Sequence, residues 1–187
     1  YVRKSFNKHF KDGLVWCESI TQVEDGPWPD DLSINDVKYR QHEKAYQYAM
    51  AQTEKECHQA VEGMYHNLNT LQSRSGNQLP FTSINYGTCT KPEGRMVIKA
   101  LLDVSIEGLG KLHKTSIFPC GIFQCMSGVN RKPGEPNYDM FRLALRSTAQ
   151  RLYPNYVNVD WSNNAGYDRN DPKTYTSTMG KCKLQLI

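Results

Sequence analysis

No run of about 18 apolar residues occurs in this chain, so no segment reads as a membrane-spanning helix. Nothing in it reads as a secretory leader. Zinc-site spacing is missing too. None of the six cysteines, at 17, 57, 89, 120, 125 and 182, forms a Cys-x-x-Cys pair, and no His-x-x-x-His step occurs. There is no Walker A loop, no dinucleotide-binding glycine fingerprint and no metalloprotease helix. Dense basic clusters are scarce as well. The net charge is +4, with 23 Lys and Arg scattered along the chain and densest at its two ends. That pattern suits a solvated surface and argues against nucleic acid as a partner. The cysteines are too sparse for a secreted disulfide scaffold, which leads us to expect reduced thiols and a cytoplasmic location.

What is present is one domain's worth of core: 187 residues, 39% of them hydrophobic. A first residue of Tyr1 rather than Met is expected of a processed chain or a piece of a longer one. Residues 1–35 read as irregular, with a loop over 23–33 marked by Gly26, Pro27 and Pro29. Ser33 and Asp36 look like a helix start. From about 34 to 72, Ala45, Ala49, Thr53, Cys57, Val61, Tyr65 and Leu68 keep helical spacing. A helix near 38 residues is long for an ordinary domain, so a break inside it is expected.

Strand formers over 78–86 predict a strand. Thr90, Pro92 and Glu93 have capping-box spacing for a helix running to about Leu109, closed by Gly110. A second strand is expected over 115–126. After a loop at 128–137, Asn137 opens a helix whose apolar face reads Phe141, Ala144, Leu145, Thr148, Ala149 and Leu152. Pro154 ends it, and 156–161 reads as a short strand. Strand, helix, strand, helix, strand is the rhythm of an α/β sheet or barrel. About three strands are here, and a closed barrel needs more chain.

Two stretches stand out for chemistry. Cys120 lies between Pro119 and Gly121. Pro119 would interrupt ladder pairing and Gly121 would permit an unusual backbone, so Cys120 is expected on a bend from which its sulfur can project. A functional thiol and a mere tight turn both fit. Cys125 should point to the opposite face, which excludes a disulfide between the two. Cys57, and by the same reasoning Cys17 and Cys89, read as small buried hydrophobes. The second stretch is SRSGNQLP, where Ser73, Arg74, Asn77 and Gln78 crowd around Gly76. Such groups could hold a phosphate or a ribose, or simply cap a helix in a solvated turn.

Four blocks in the right order resemble one family. HNLNTLQSRSGNQLPFTSINYGT (66–88), EGRMVIKALL (93–102), GVNRKPGEPNYDMFRLAL (128–145) and RLYPNYVNVDWSNNAGY (151–167) are similar to the large subunit of anaerobic, class III ribonucleoside-triphosphate reductases, and IFPCGIFQ (117–124) resembles their phage-borne members. The resemblance implies an α/β fold: part of a ten-stranded barrel with a finger loop inside it. It implies a thiyl-radical cysteine at the finger tip, here Cys120, that abstracts the 3′ hydrogen of a ribonucleoside triphosphate. Formate is the reductant implied, and a glycyl radical stores the spin. A separate activase with a 4Fe-4S cluster and S-adenosylmethionine would generate that radical. Ser73, Arg74 and Gln78 would lie near substrate, with Asn163, Asn164 and Tyr167 as further polar candidates. A homodimer is implied for the complete enzyme.

The resemblance also has gaps. It implies a second active-site cysteine, a region binding ATP or dNTP effectors, a zinc-binding cysteine cluster and a glycyl-radical segment. None is found in these 187 residues. After TMG the family continues with a cysteine–arginine stretch, whereas KCKLQLI follows Gly180 here. The expectation is therefore a single partial barrel domain over 1–180 and an unmatched tail over 181–187. Such a catalytically incomplete fragment would need the missing parts of the reductase as partners. A non-catalytic remnant or interaction module of the same fold is the alternative.

Overall fold

A computed structural model describes residues 1–20, 32–70, 81–161, 168, 170–172 and 175. Among these residues five helices and three strands follow one another. They are α1 (Val2–Glu18), α2 (Val37–Arg40), α3 (Glu43–Thr70), β1 (Ser83–Tyr86), α4 (Pro92–Glu107), β2 (Cys120–Cys125), α5 (Tyr138–Arg151) and β3 (Asn155–Asn158). A short 3₁₀ turn, Val159–Trp161, comes last. The sheet has the order β1-β2-β3 and both pairings are parallel. Parallel neighbours cannot be joined by a tight hairpin, and α4 and α5 are the two crossovers. No helix among the described residues is long and apolar enough to cross a membrane.

The expected break in the long helix lies between Arg40 and Glu43. Asp36 caps α2, its carboxylate accepting from the Lys38 N–H at 2.9 Å. The expectation of irregular structure before residue 35 is overturned, because α1 occupies Val2–Glu18. Its buried face is Phe6, Phe10, Gly13 and Leu14, a three-four stripe hidden among many Lys, Asp and Asn residues. Phe6 and Phe10 each meet the ring of Tyr39 edge-on at 4.9 Å. All three are fully buried, each contributing roughly 1.5–3 kcal/mol by leaving water. The Tyr39 hydroxyl donates to Asn7 Oδ1 at 2.5 Å. α1 therefore docks on α2 and α3 through one aromatic knot.

Other boundaries shift for identifiable reasons. Lys91, not Thr90, is the N-cap of α4, and no side chain caps it. Glu93 instead accepts from Arg3 Nε at 2.9 Å and the Ile34 N–H at 3.1 Å, so it ties α4 to the amino-terminal segments. Gly108, with φ +77°, closes α4, two residues before the expected Gly110. β1 and β2 are shorter than their apolar runs, and β3 begins one residue early and ends at Asn158. On α5 the buried residues are Met140, Ala144 and Ser147, while Leu145 and Leu152 are exposed. α5 thus turns a narrower, more polar stripe inward than the apolar pattern suggested.

Two expectations follow. A Cβ on Gly13 would stand 3.0 Å from both the Cα and the carbonyl oxygen of Ala45. Backbone cannot retreat as a side-chain tip can. Gly13→Ala should lower stability by about 1–3 kcal/mol despite the better helix former, read as a shift in urea midpoint. The second concerns Glu56 on α3. It accepts from Ser5 Oγ at 2.5 Å and lies 2.9 Å from His9 Nε2, both on α1. The Ser5 bond first, then His9, hold its carboxyl below the usual range against the opposing effect of burial. A depressed carboxylate contributes stability that is present above its unfolded pKa, near 4.3. That contribution is lost as pH falls through the folded value. Glu56→Gln should flatten the acid limb of the stability–pH curve; an unchanged limb would remove Glu56 from the α1 docking contact.

Candidate functional site

Side chains alternate across a strand, so the register sorts the sheet into two faces. Ile84 pairs with Gly121, Tyr86 with Phe123, and Phe123 with Tyr156. This face is aromatic: Phe123 meets Tyr86, Phe141 and Tyr156 at 5.9–6.1 Å. Phe141 belongs to α5, so this is the helix-covered face. On the other face Ser83 pairs with Cys120, Asn85 with Ile122, Ile122 with Asn155, and Gln124 with Val157. It carries Ser83, Asn85, Gln124 and Asn155 around Ile122. A sheet face turned away from its helices and rich in hydroxyls and amides is suited to hydrogen-bonding a ligand.

Cys120 is on that polar face, but not on a projecting bend. It is the first residue of β2, and its N–H donates to the Thr82 carbonyl at 2.8 Å. It is 9% exposed, with Sγ 3.9 Å from the Ile117 carbonyl oxygen. Gly121 does not have a left-handed φ; it is small for reasons of space. A Cβ there would lie 2.9 Å from the Tyr86 hydroxyl and 3.3 Å from Pro154 Cβ. The approach to Cys120 is held by Asn69 on the last turn of α3. Asn69 Oδ1 accepts from the N–H groups of Ile117 at 2.8 Å and Phe118 at 3.1 Å. Its Nδ2 donates to the Phe118 carbonyl at 2.5 Å. One amide thus does for this segment what a neighbouring strand would do. Tyr153, just before β3, is the tyrosine nearest in its electrostatics to Cys120. Burial first, and then Cys120, push its pKa up.

The remaining cysteines divide. Cys57 is buried in α3, as expected, and burial pushes its thiol up. Cys125 lies on the face opposite Cys120, and burial pushes it up to about 11. Cys89 is exposed, which corrects the expectation of a buried hydrophobe.

At the carboxyl end of the sheet two fully buried asparagines lock the strand ends together. Asn130 Oδ1 accepts from the Met126 N–H at 2.9 Å, and its Nδ2 donates to the carbonyls of Gly87 (3.1 Å) and Gln124 (2.8 Å). Asn137, the first residue before α5, does not cap it through its side chain. It donates instead to the carbonyls of Gly87 (3.0 Å) and Cys89 (2.8 Å). Between them, Glu135 accepts from the N–H groups of Gly128, Arg131 and Lys132, bonds that hold its carboxyl below the ordinary range. Asp160 accepts from the N–H and hydroxyl of Ser127 at 2.7 Å each. A cavity of about 580 Å³ opens beside this lock, lined by Asn85, Thr88, Cys89 and Gln124 with Val97 and Tyr175.

Ser73, Arg74, Asn77, Gln78, Asn163, Asn164, Tyr167 and the tail over 181–187 lie outside the described residues. Among the described residues, no group of three His, Cys, Asp or Glu side chains could hold a metal ion. Sequence reading missed Asn69, Asn130 and Gln124, and it read Asn137 as a cap, whereas its amide bonds the carbonyls of Gly87 and Cys89. The only signal was position: an asparagine in a strand-to-helix loop invites reading as a cap, when its amide is bonding carbonyls from other strands.

The family model for anaerobic ribonucleoside-triphosphate reductase matches residues 1–187. The chain belongs to this family. It is 37% identical over 160 residues to the anaerobic ribonucleoside-triphosphate reductase of Escherichia coli K12, and 35% over 160 residues to that of Salmonella typhimurium LT2. Each match covers 86% of this chain and 19% of the relative. The enzyme of the same name from Enterobacteria phage T4 is 34% identical over 159 residues, covering 85% of this chain and 22% of the relative. The chain thus spans about a fifth of the length of the curated relatives it matches. Within the reductase family, the parallel β1-β2-β3 sheet is an α/β element compatible with part of the barrel expected from the sequence.

The asparagine lock gives a direct test. Asn130→Ala removes one acceptor and two donors from buried backbone groups of two strands. It should lower stability by at least about 2 kcal/mol, measured as the urea midpoint at constant m-value. An effect within error would mean that water replaces the amide and that the lock is not structural.

Proposed function

We propose that this chain forms part of the catalytic body of a reductase converting ribonucleoside triphosphates to deoxyribonucleoside triphosphates, for supply of DNA precursors in the absence of oxygen. The observation that carries the reading is the family match along the whole chain, set beside a sheet whose helix-free face is polar. The partners of this reading are a ribonucleoside triphosphate, an activase and the other parts of the reductase. Its radical chemistry would draw on a glycyl radical and formate from outside the described residues. A zinc site would have to be built elsewhere as well, since no donor set for it exists among the described residues.

For Cys120 two roles are open, and each has an observation behind it. As the thiyl carrier it has the right face, beside Ser83 and in the same polar layer as Asn85 and Gln124. It also has the enclosure that a radical needs if water and oxygen are not to quench it. As a packing residue it has the wrong end for chemistry. It stands at the amino end of a parallel strand, whereas ligands of open α/β sheets gather outside the carboxyl ends. Ser73, Arg74, Gln78, Asn163 and Asn164 are proposed as substrate neighbours on the family resemblance alone.

Cys120→Ser in the complete reductase, assayed anaerobically with activase and formate, separates the two roles. A radical role requires turnover to vanish, because the serine O–H bond is too strong to take its place, while the melting temperature moves little. Turnover near the parental level would refute the radical role and leave Cys120 as a packing residue.

A further inference from the structure

Cys120 is reached along a stretch of chain that the sheet does not hold. β2 begins at Cys120, and its ladder with β1 begins at the Ser83–Cys120 pair. Pro119 has no N–H to give to a ladder. Ile117 is 60% exposed, so burial does not pin it. The Phe118 ring leans edge-on against Phe81 at 5.3 Å, and Phe81 is itself exposed.

One amide takes over. Asn69 Oδ1 accepts from the N–H groups of Ile117 and Phe118, and Nδ2 donates to the Phe118 carbonyl. The other Nδ2 hydrogen goes to the Tyr65 carbonyl at 2.7 Å, one helical turn back. Both hydrogens and both lone pairs of the amide are then used. Asn69 is one residue from the end of α3, where helices fray, yet its base is firm. Tyr65 is buried, and its hydroxyl donates to the Leu101 carbonyl of α4 at 3.4 Å. Ile117, at the far side of the grip, carries the carbonyl oxygen 3.9 Å from Cys120 Sγ. Asn69 therefore fixes both the backbone that leads to the thiol and the group the thiol faces.

Resting on the radical role set out above for Cys120, we propose that Asn69 is a positioning residue for hydrogen abstraction. In that step an S–H bond forms at Cys120 as the C3′–H bond of the substrate breaks, and the unpaired electron passes from sulfur to C3′. Asn69 touches neither the substrate nor the sulfur. It acts through Ile117 and Phe118, by setting where the sulfur stands. A misplacement of reacting atoms by about 1 Å can cost roughly a hundredfold in rate, and without the amide nothing in the ladder would prevent one.

Two variants of the complete reductase test this. Asn69→Leu keeps the bulk and removes the hydrogen bonds, and Asn69→Gln keeps the amide on a longer arm. The first readout is hydrogen–deuterium exchange, which needs no radical. In Asn69→Leu the Ile117 and Phe118 amides should exchange about tenfold faster, as for the loss of one hydrogen bond, while the amides of β2 keep their rates. The second is anaerobic turnover with activase and formate. Here kcat of Asn69→Leu should fall on the order of a hundredfold with KM little changed. The isotope effect from 3′-deuterated substrate should rise, and the glycyl-radical signal should form at the parental level. Asn69→Gln should recover part of both losses. Unchanged exchange at Ile117 and Phe118, or parental kcat despite faster exchange there, would overturn the assignment. So would lost protection along β2 in both variants, which would make Asn69 a folding residue. The two proposals fail separately. Parental turnover in Cys120→Ser removes the radical role itself, whereas an inactive Cys120→Ser beside a fully active Asn69→Leu removes Asn69 alone.

Discussion

Everything in the described sheet depends on β2 being covered on both sides. It is the middle strand, Ile122 and Phe123 are at most 1% exposed, and both neighbours run parallel to it. A strand in that position must send one set of side chains to the helices and the other to the opposite face. β2 sends Phe123 into an aromatic layer with Tyr86, Tyr156 and Phe141. In the other direction it sends Cys120, Ile122 and Gln124. The aromatic layer fixes the register, because a slip of one residue would exchange the two faces entirely. Register in turn decides which polar groups share the helix-free face.

The two ends of the sheet are held by different means, and the difference bears on where chemistry can happen. At the amino end, α3 reaches down with Asn69 and grips the backbone just before Cys120. At the carboxyl end, the grip comes from loops. Asn130 and Asn137 bind carbonyls of the β1 and β2 ends, and Asp160 after β3 holds Ser127. Loops can leave space that a helix packed along a strand cannot, and the cavity of about 580 Å³ is at that end.

Much of this architecture was legible in the sequence. The three-four stripe from Ala45 to Tyr65 belongs to α3, and its break falls near Gln41. The strand–helix–strand rhythm is the observed βαβαβ order. α1 was missed because Phe6, Phe10 and Leu14 are diluted by Lys, Asp and Asn, and because Gly13 reads as a breaker. In fact Gly13 is where α1 lies directly against the backbone of α3 at Ala45. The setting of Cys120 was misread for a related reason. Small residues signal both turns and tight packing, and at Gly121 the demand is packing, against the Tyr86 hydroxyl and Pro154. The resemblance carried the family, but it could not say that Cys120 opens β2, because the expected strand over 115–126 begins only where ladder pairing with Ser83 starts.

Each of β1 and β3 has one strand neighbour among the described residues, so each has an outer edge not paired to another described strand. Such edges are hazards in a free-standing protein, since they template further pairing. Here they run beside a polar face that a two-layer domain would have no reason to bury. Gln124 is nevertheless 8% exposed and Ile122 1%. An amide withdrawn from water is costly unless bonded, and a solvent-facing sheet would not bury Ile122. Open edges and a half-enclosed polar face are both compatible with the three strands being part of a larger α/β barrel. The aromatic layer of Phe123, Tyr86, Tyr156 and Phe141 holds the three strands in that register.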